Sequence, residues 1–480
     1  MSNKTIGLKA GLEIHQQIDT NKLFCSCPSY LRSEKPDFTV MRRLHAVPGE
    51  TGEVDIAVEF EASKNKEFVY EGYNDTTCLI ELDEEPPHLI NENALNEAIK
   101  IALLLNCELY TVSQIMRKTV INGSNTSGFQ RTVLIAHDGF VETSFGKVGI
   151  QTLMLEEDAA REIGKEGNKV VFRLDRLGIP LVEIATTPEL YSPEQIKECA
   201  LKLGETLRAC KVKRGIGTIR QDLNISIKGH DRVEIKGFQD PKMMIKTVEL
   251  EVERQKDELK KGKRKGEVRG AKEDGNTEFQ RPMPGEARMY PETDLPLLKI
   301  SRERINKLKK ELPKLKTEIK GELKNKGLSD ELVNIILSSN SVDEFETLMR
   351  IYGKNPDLIA KMITLWRVEI ANKLKKSEEE IKNLLTEAIY EKVLEALRNN
   401  KITEADVRGI LIKIAEGAKI EDALRIEKVD YNKLEEEISR IIKEKPGLTA
   451  SAYMGLVMSK LKGKIDARKA MEIINKIVKG

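Results

Sequence analysis

The stretch Gly11-Leu12-Glu13-Ile14-His15-Gln16-Gln17 ends a run, from Ile6 to Gln17, in which apolar and polar residues alternate. Alternation with a period of two predicts a β-strand. One face of this strand carries Leu8, Ala10, Leu12 and Ile14. The opposite face carries a carboxylate, an imidazole and an amide in one row, from Glu13, His15 and Gln17. A half-buried strand with a solvated outer face is the simpler explanation of this pattern alone, so the rest of the chain decides whether the row is a site.

Composition limits the possible classes of protein. The 480 residues are long for one hydrophobic core, so two to four domains are expected. With 80 Lys and Arg against 78 Asp and Glu, the net charge of +2 gives no overall attraction to nucleic acid or membranes. RNA binding would therefore depend on local basic patches. The sequence has no run of membrane-spanning length and no signal-peptide pattern, which predicts a cytoplasmic protein without a membrane partner.

The pattern of apolar and polar residues changes along the chain, and the two patterns together predict an α+β fold. Residues 1–300 mix short alternating runs, glycine turns and helices, which indicates a mixed α/β domain with an antiparallel sheet. One such helix is expected over Pro193–Ala209, capped by Ser192. Residues 301–401 have the apolar spacing of an all-α linker domain, and residues 402–480 that of a helical tail.

A hairpin is predicted in the second half of the first domain. Its first strand, from Thr218 to Ile227, places Arg220, Asp222, Asn224 and Ser226 on one face. After a turn, the return strand places Arg232, Glu234 and Lys236 on one face. Surface sheets often have such faces, but the same residues are equally suited to bind a phosphate, a ribose or a hydrated metal ion.

Acidic residues stand out at two further places. Glu156, Glu157 and Asp158 directly follow a strongly apolar strand, which indicates either a bound cation or the start of a helix. Glu183 lies within the apolar run from Gly178 to Ala185. A carboxylate there must be solvated or buried with a partner, because an unpaired buried charge is too costly.

Six stretches occur in the order found in the B/E subunit family of tRNA-dependent amidotransferases, which the chain therefore resembles. They are Gly11–His15, Lys22–Pro28, Glu156–Ala159, Asp175–Ile184, Arg220–Ser226 and Tyr290–Pro296. Pro86–His88 and Arg281–Tyr290 resemble the archaeal E branch of this family. The resemblance implies that the first domain is a catalytic cradle that uses ATP to phosphorylate the γ-carboxylate of glutamate on tRNA(Gln). Ammonia from a partner, the asparaginase-like D subunit, would then replace the phosphate, giving Gln-tRNA(Gln).

The resemblance also implies particular site residues. The family's catalytic residues correspond to Glu13, His15, Glu157 and Glu183. Its metal ligands correspond to His15, Glu157 and Glu183. Its ATP-binding residues correspond to Lys118, Arg220, Asp222, Asn224 and Lys236. Alternation does not choose between Glu156 and Glu157, so the resemblance alone selects Glu157. It also implies Mg²⁺, whereas the ligand types alone favour Zn²⁺ or Mn²⁺.

The chain departs from the family pattern in two places. Many relatives complete a zinc site from a Cys-x-Cys and a later Cys-x-x-Cys pair, but Met41 and Leu44 stand where the second pair would fall. Cys25, Cys27 and Cys78, with His45 or His88, could still bind zinc, although this pattern is a weak signal and zinc is not expected. Archaeal members usually also carry a large module that resembles part of an aspartyl-tRNA synthetase. Here only a short basic loop, residues 256–274, occupies that position.

Two other functions fit the same residues. One is a non-catalytic tRNA-binding adaptor with the same fold, and the other is a metal-dependent kinase or ligase acting on a small carboxylate. The basic stretch after Ser301 is a candidate tRNA phosphate surface, and a solvated helix face explains it as well. The basic loop after Lys260 either contacts phosphate or is a solvated connection.

Overall fold

The computed structural model describes residues 6–49, 52–238, 241–285, 288–425, 431–460 and 467–479. Glu286 and Ala287, within one of the stretches that resemble the archaeal branch, lie outside these ranges. The chain divides into two units, Met1–Lys316 and Thr317–Gly480.

The first unit contains the strands of the fold. They are β1 (Lys9–Gln17), β2 (Phe38–Arg42), β3 (Glu67–Gly72), β4 (Glu108–Leu109), β5 (Val112–Ser113), β6 (Ile115–Thr119), β7 (Phe129–Thr143), β8 (Gly146–Glu157), β9 (Arg161–Glu166), β10 (Lys169–Arg173), β11 (Pro180–Thr186), β12 (Ile219–Ser226), β13 (Val233–Phe238), β14 (Glu267–Ala271), β15 (Thr277–Pro282), β16 (Met289–Pro291) and β17 (Leu298–Lys299).

Within the described residues, eleven strands form one sheet in the order β15-β14-β13-β12-β1-β11-β8-β7-β6-β16, with β4 beside β7. Its neighbouring strands run antiparallel except β13 and β14, which are parallel. The predicted α+β fold with an antiparallel sheet is therefore confirmed, and β12 and β13 form the predicted hairpin.

This sheet must be strongly curved. Nine strand spacings of about 4.8 Å would separate β15 from β16 by about 43 Å in a flat sheet. However, six residues connect Pro282 to Met289, and a chain of that length spans at most about 25 Å. The two edges are therefore brought towards each other, which gives the sheet a concave face.

Helices cover the other face of the sheet. Of the helices α1 (Ile56–Ala62), α2 (Glu92–Leu104), α3 (Pro193–Ala209), α4 (Pro241–Lys260) and α5 (Arg302–Lys310), α2, α3 and α4 pack on this face. Helix α5 packs against α2, whereas α1 contacts β15 on the concave side. The apolar face of β1 is buried in their core through Leu8, Ala10, Leu12 and Ile14. Helix α3 has the predicted bounds, and the hydroxyl of its N-cap Ser192 accepts a hydrogen bond from the Gln195 amide at 3.3 Å. The polar row of β1 is thereby left on the concave side.

The first unit extends beyond the predicted boundary at residue 300. Leu308 of α5 is buried in the core of the large sheet, and Ile305 packs against it. Because this helix contributes apolar side chains to the first core, the boundary between the units falls after Lys316.

The second unit is helical. Its helices are α6 (Lys316–Asn325), α7 (Asp330–Ser338), α8 (Val342–Ile351), α9 (Pro356–Ile363), α10 (Leu365–Leu374), α11 (Glu378–Leu384), α12 (Glu387–Arg398), α13 (Glu404–Ala415), α14 (Ile420–Ala423), α15 (Tyr431–Glu444), α16 (Ala450–Lys460) and α17 (Ala467–Lys479). One hydrophobic cluster runs from Leu323 to Ala423, and a second from Ile438 to Ile474. The first cluster includes Ile402, so its core continues across the boundary predicted at residues 401 and 402. None of the described helices has the length and apolar character needed to cross a membrane.

Candidate active site

The concave face of the large sheet forms a cleft of about 1060 Å³. Strands β1, β6, β8, β11, β12 and β13 contribute charged side chains to it, and residues after β15 and before β16 also line it. The register explains this convergence. His15 lies opposite Glu183 on one side and Arg220 on the other, while Glu13 lies opposite Asp222. The central strand β1 therefore brings together residues that are far apart in the sequence.

A cluster of carboxylates and cations occupies the middle of this face. His15 Nε2 lies 3.1 Å from Glu183 Oε2 and 3.5 Å from Glu13 Oε1. Lys118 Nζ lies 2.5 Å from Glu156 Oε1 and 3.6 Å from Glu183 Oε2. We call His15, Glu156, Glu183 and Lys118 the central cluster. In this arrangement Lys118 and His15 balance the charge of two buried carboxylates.

Glu156, and not Glu157, belongs to the central cluster. Antiparallel pairing places Met154 opposite Glu183, and two residues further Glu156 projects from the same face of β8. Glu157 projects from the other face and accepts hydrogen bonds from the backbone amide and the side chain of Arg131, both at 3.3 Å. Glu157, which the resemblance implies as a metal ligand, therefore does not lie beside His15 and Glu183. Its neighbour Glu156 lies there instead.

Burial and charge shift the pKa values in the cluster. Burial acts against ionisation of Glu183, but Lys118 and a hydrogen bond with His15 outweigh it and lower its pKa. Burial likewise opposes protonation of His15, yet Glu183, Glu13 and Asp222 raise its pKa to about 9. Burial and the nearby Glu183 charge raise the pKa of Glu13 to about 7. The carboxylates around His15 thus favour positive charge at this point of the cleft.

The hairpin supplies a second group of charges beside the first. Lys236 Nζ lies 2.7 Å from Asp222 Oδ2 and also contacts Glu234. Donor atoms of Glu13, His15 and Asp222 lie within 4.8 Å of one another. Of the ATP-binding residues that the resemblance implies, Lys118, Arg220, Asp222 and Lys236 line the cleft. Asn224 of the same strand is not among the lining residues.

Arg220 is held in place by a buried carboxylate. Asp158 is fully buried and accepts hydrogen bonds from Arg220 at 2.9 and 3.3 Å and from Gln17 at 2.6 Å. Gln17, the third polar residue of the β1 row, therefore helps to orient the carboxylate that anchors Arg220. No local sequence signal indicates this contact, because Asp158 is 62 residues from Arg220.

The central cluster fits a divalent cation. His15, Glu156 and Glu183 offer an imidazole nitrogen and two carboxylates, with donor atoms within 4.8 Å of one another. Carboxylate oxygens suit Mg²⁺ and Mn²⁺, and the imidazole also suits Zn²⁺. The donor set thus fits the metal-dependent site that the resemblance implies, while the magnesium identity stays a prediction.

A separate cluster lies at the three predicted cysteines. Donor atoms of Cys25, Cys27, Cys78 and Glu81 lie within 4.8 Å of one another. The thiol of Cys25 donates to Glu81 Oε1 at 2.9 Å, and the Cys78 amide donates to Glu81 Oε2 at 2.8 Å. Lys22 is fully buried beside them, 3.2 Å from Glu81. The structure thus brings the three cysteines together and adds Glu81, which sequence reasoning missed.

A concave cleft with carboxylates, an imidazole and several cations is suited to metal-assisted transfer of a phosphoryl group. Residues 8–306 match the model of the "GatB/GatE catalytic domain". The chain is 37% identical to the E subunit of glutamyl-tRNA(Gln) amidotransferase from Methanocaldococcus jannaschii, with 99% of each chain covered. It is also 33% identical to the E subunit of the same enzyme from Pyrobaculum neutrophilum, covering 99% of this chain and all of that one. The chain belongs to the GatB/GatE family.

The relatives contain residues that this chain lacks. The comparison with the Methanocaldococcus jannaschii protein spans 634 positions, against 480 residues here, so at least 154 of them have no counterpart in this chain. The prediction of a basic loop at residues 256–274 is only partly right, because the helix α4 continues to Lys260 and β14 begins at Glu267. Residues 261–265 between them form a short exposed turn. The large sheet continues from β13 into β14 and β15 across this region.

Proposed function

We propose that this chain is the part of an amidotransferase that activates glutamate on tRNA(Gln) with ATP and amidates it with ammonia, giving Gln-tRNA(Gln). The observation that carries this proposal is the central cluster, which the register of β1, β8 and β11 assembles in a charged cleft. Membership of the GatB/GatE family supplies the reaction class.

The proposed chemistry has two steps. An oxygen of the glutamyl γ-carboxylate attacks the terminal phosphorus of ATP, which forms an acyl phosphate and releases ADP. The nitrogen of ammonia then attacks the acyl carbon, phosphate leaves, and the nitrogen loses a proton. A carboxylate is a poor acyl donor until one of its oxygens becomes part of such a leaving group.

The main barrier in the first step is repulsion, because a carboxylate must approach a triphosphate. Lys118, Arg220 and Lys236 line the cleft and offer positive charge to the phosphate oxygens. Asp158 holds Arg220 in position, and Gln17 in turn holds Asp158, so that these side chains need to move little when the phosphate binds. When bound, a divalent ion held by His15, Glu156 and Glu183 would neutralise further phosphate charge.

The remaining parts of the proposal concern partners and location. The relatives are each named as the E subunit of an amidotransferase, which implies an assembly of several subunits. An asparaginase-like D subunit is proposed as the source of ammonia, and Glu-tRNA(Gln) as the substrate. Because tRNA charging is a step of protein synthesis, we place this activity in the cytoplasm.

We further propose that Cys25, Cys27, Cys78 and Glu81 bind a structural zinc ion. Three sulfur atoms and one carboxylate make a four-donor set of the kind that zinc prefers. These donors join the loop after β1 to the turn after β3, at residues far apart in sequence. Metal analysis of the purified chain should find zinc, and Cys78→Ser should remove it without removing a metal bound in the cleft. Equal zinc content in Cys78→Ser and the unmodified chain would contradict this assignment.

The substitution Glu183→Gln tests the proposed active site. It keeps the size of the side chain and removes the charge that pairs with His15 and Lys118. Formation of Gln-tRNA from ATP, ammonium chloride and Glu-tRNA(Gln) should be abolished, while tRNA binding stays near normal. The matched control is Glu166→Gln, which neutralises an exposed carboxylate that does not line the cleft. Unchanged turnover in Glu183→Gln would remove the site assignment.

A further inference from the structure

Two arginines stand at opposite edges of the large sheet, where one short connection joins them. Arg281 lies near the end of β15, and Arg288 directly precedes β16. These strands are the two edges of the sheet, and both arginines line the cleft. Both residues belong to the stretch Arg281–Tyr290, which resembles the archaeal branch of the family.

The position of Arg288 relates it to the central cluster. Its Nε donates a hydrogen bond to the backbone oxygen of Thr119 at 3.0 Å. In the pairing of β16 with β6, the next residue, Met289, lies opposite Lys118. Lys118 in turn contacts Glu156 and Glu183. Arg288 is therefore attached to the strand that carries the lysine of the cluster.

Neither arginine has a carboxylate partner among the described residues, since no described Asp or Glu oxygen lies within 4.0 Å of either. In this they differ from three other arginines of the same unit, Arg117, Arg131 and Arg220. Arg117 and Arg131 both contact Glu292, and Arg220 contacts Asp158. The charge of those arginines is balanced within the protein.

The surroundings of Arg288 favour an added negative charge. Burial lowers its pKa, and the neighbouring charge of Arg281 lowers it further, although Asp55, Glu156 and Glu234 act in the opposite direction. Two nearby guanidinium groups repel each other, and a half-buried one loses part of its hydration. A ligand oxyanion between them relieves both effects, and the guanidinium fork matches two oxygens of a phosphate.

We infer that Arg281 and Arg288 form a phosphate-binding pair that holds phosphate oxygens of a substrate beside the central cluster. This inference rests on the proposed function, which supplies two sources of phosphate. One is the triphosphate of ATP, and the other is a phosphodiester near the 3′ end of the tRNA. The ligand chemistry is the same in both cases, and binding measurements distinguish the sources.

The test uses Arg281→Gln and Arg288→Gln in the full-length chain, with Arg288→Lys as the conservative variant. Arg214→Gln is the matched control, because it removes the same charge from an exposed arginine that does not line the cleft. Equilibrium binding is measured for a non-hydrolysable ATP analogue with MgCl₂ and, separately, for uncharged tRNA(Gln). Thermal unfolding identifies any variant that does not fold, and the two arginines, at opposite edges of the sheet, give independent readings.

Loss of charge-assisted hydrogen bonds should raise the Kd of one of these ligands roughly 10- to 100-fold in Arg288→Gln. Arg281→Gln should affect the same ligand, and Arg288→Lys should have a smaller effect because lysine lacks the planar fork. A change confined to the ATP analogue assigns the nucleotide as the source, and a change confined to tRNA assigns the RNA. Affinities within twofold of the control for both ligands would overturn the inference.

The same variants separate this inference from the proposed function. If the unmodified chain binds ATP and tRNA but forms no Gln-tRNA with ammonium chloride, the proposed function fails, while the affinity changes still report on the arginine pair. If the chain is active and neither affinity changes in the folded variants, only the arginine pair is rejected.

Discussion

Buried charge is distributed very differently in the two units. The first unit buries many carboxylates, among them Glu156, Asp158, Glu183 and Glu292. In the described part of residues 317–480, Arg367 is the buried charged residue, and it pairs with Glu344 at 2.5 Å. Removing charges from water is costly, so a cleft rich in them indicates chemistry, whereas the helical unit depends on apolar packing.

The largest effect on stability is expected in the helical unit. Phe345 is fully buried in its first hydrophobic cluster. Phe345→Ala leaves a cavity and should cost about 3–5 kcal/mol of unfolding free energy. Thermal and denaturant unfolding measure this loss, and binding of the ATP analogue should change less than twofold. Strongly weakened nucleotide binding would show that the cleft depends on the helical core.

The next effect concerns neighbouring carboxylates on opposite faces of β8. Glu156→Gln should lower the rate of Gln-tRNA formation by about 100- to 1,000-fold, because it removes charge from the central cluster. Glu157→Gln, the matched variant, disturbs the contact with Arg131 and should mainly reduce thermal stability. Single-turnover rates and melting temperatures of both variants check this. The reverse order of rates would restore Glu157 as the ligand position.

Glu156 and Glu157 illustrate which parts of the site the sequence predicts and which require the structure. Alternation in β1 predicted its buried and polar faces, and the Ser192 cap predicted the start of α3. The same alternation, followed from Leu153 and Leu155 on the buried face of β8, would have placed Glu156 in the cleft. That step requires knowing that the strand continues to Glu157 without a bulge, which only the pairing with β11 shows.

Other features could not be predicted from the sequence because they depend on contacts between residues that are far apart in the chain. Glu81 joins Cys25 through a contact between residues 56 positions apart, and Asp158 anchors Arg220 across 62 positions. The extension of the first unit to Lys316 depends on which hydrophobic core buries Leu308. Helical periodicity predicts that Leu308 is buried but not in which unit. Such contacts follow from tertiary packing and leave no periodic signal.

A moderate, pH-dependent effect is expected at Glu292, which is buried and accepts hydrogen bonds from Arg117 and Arg131. Burial opposes its ionisation, but Arg117, the Asp294 amide and Arg131 outweigh it and lower its pKa. A lowered carboxyl pKa stabilises the fold above the ordinary value of 4.5, and this contribution is lost as the pH falls through the lowered pKa. Glu292→Gln should therefore cost about 1.5–3 kcal/mol at pH 7.

Denaturant unfolding of Glu292→Gln and the unmodified chain over a range of pH provides the measurement. The difference in unfolding free energy should shrink as the pH falls below 4.5. A difference that stays constant, or that grows in acid, would show that the ionised form of Glu292 does not stabilise the first unit.

The smallest effect is expected on the surface of the helical unit. Glu369 and Arg408 form an ion pair whose side chains are each 49% exposed. Exposed pairs contribute little, because water screens the attraction and both side chains lose freedom. Glu369→Gln should change the unfolding free energy by less than about 1 kcal/mol. A larger loss in chemical denaturation would mean that charge also stabilises this unit.

In the proposed reaction, the cleft phosphorylates glutamate only when tRNA carries it. The direct measurement is the rate of ADP formation from ATP with Glu-tRNA(Gln), with uncharged tRNA(Gln) and with free glutamate. We expect ADP formation with Glu-tRNA(Gln) alone, and its loss in Glu183→Gln. Equal ADP formation with free glutamate would instead indicate a ligase for a small carboxylate. No ADP formation with Glu-tRNA(Gln), despite tRNA binding, would indicate a non-catalytic adaptor and contradict the proposed reaction.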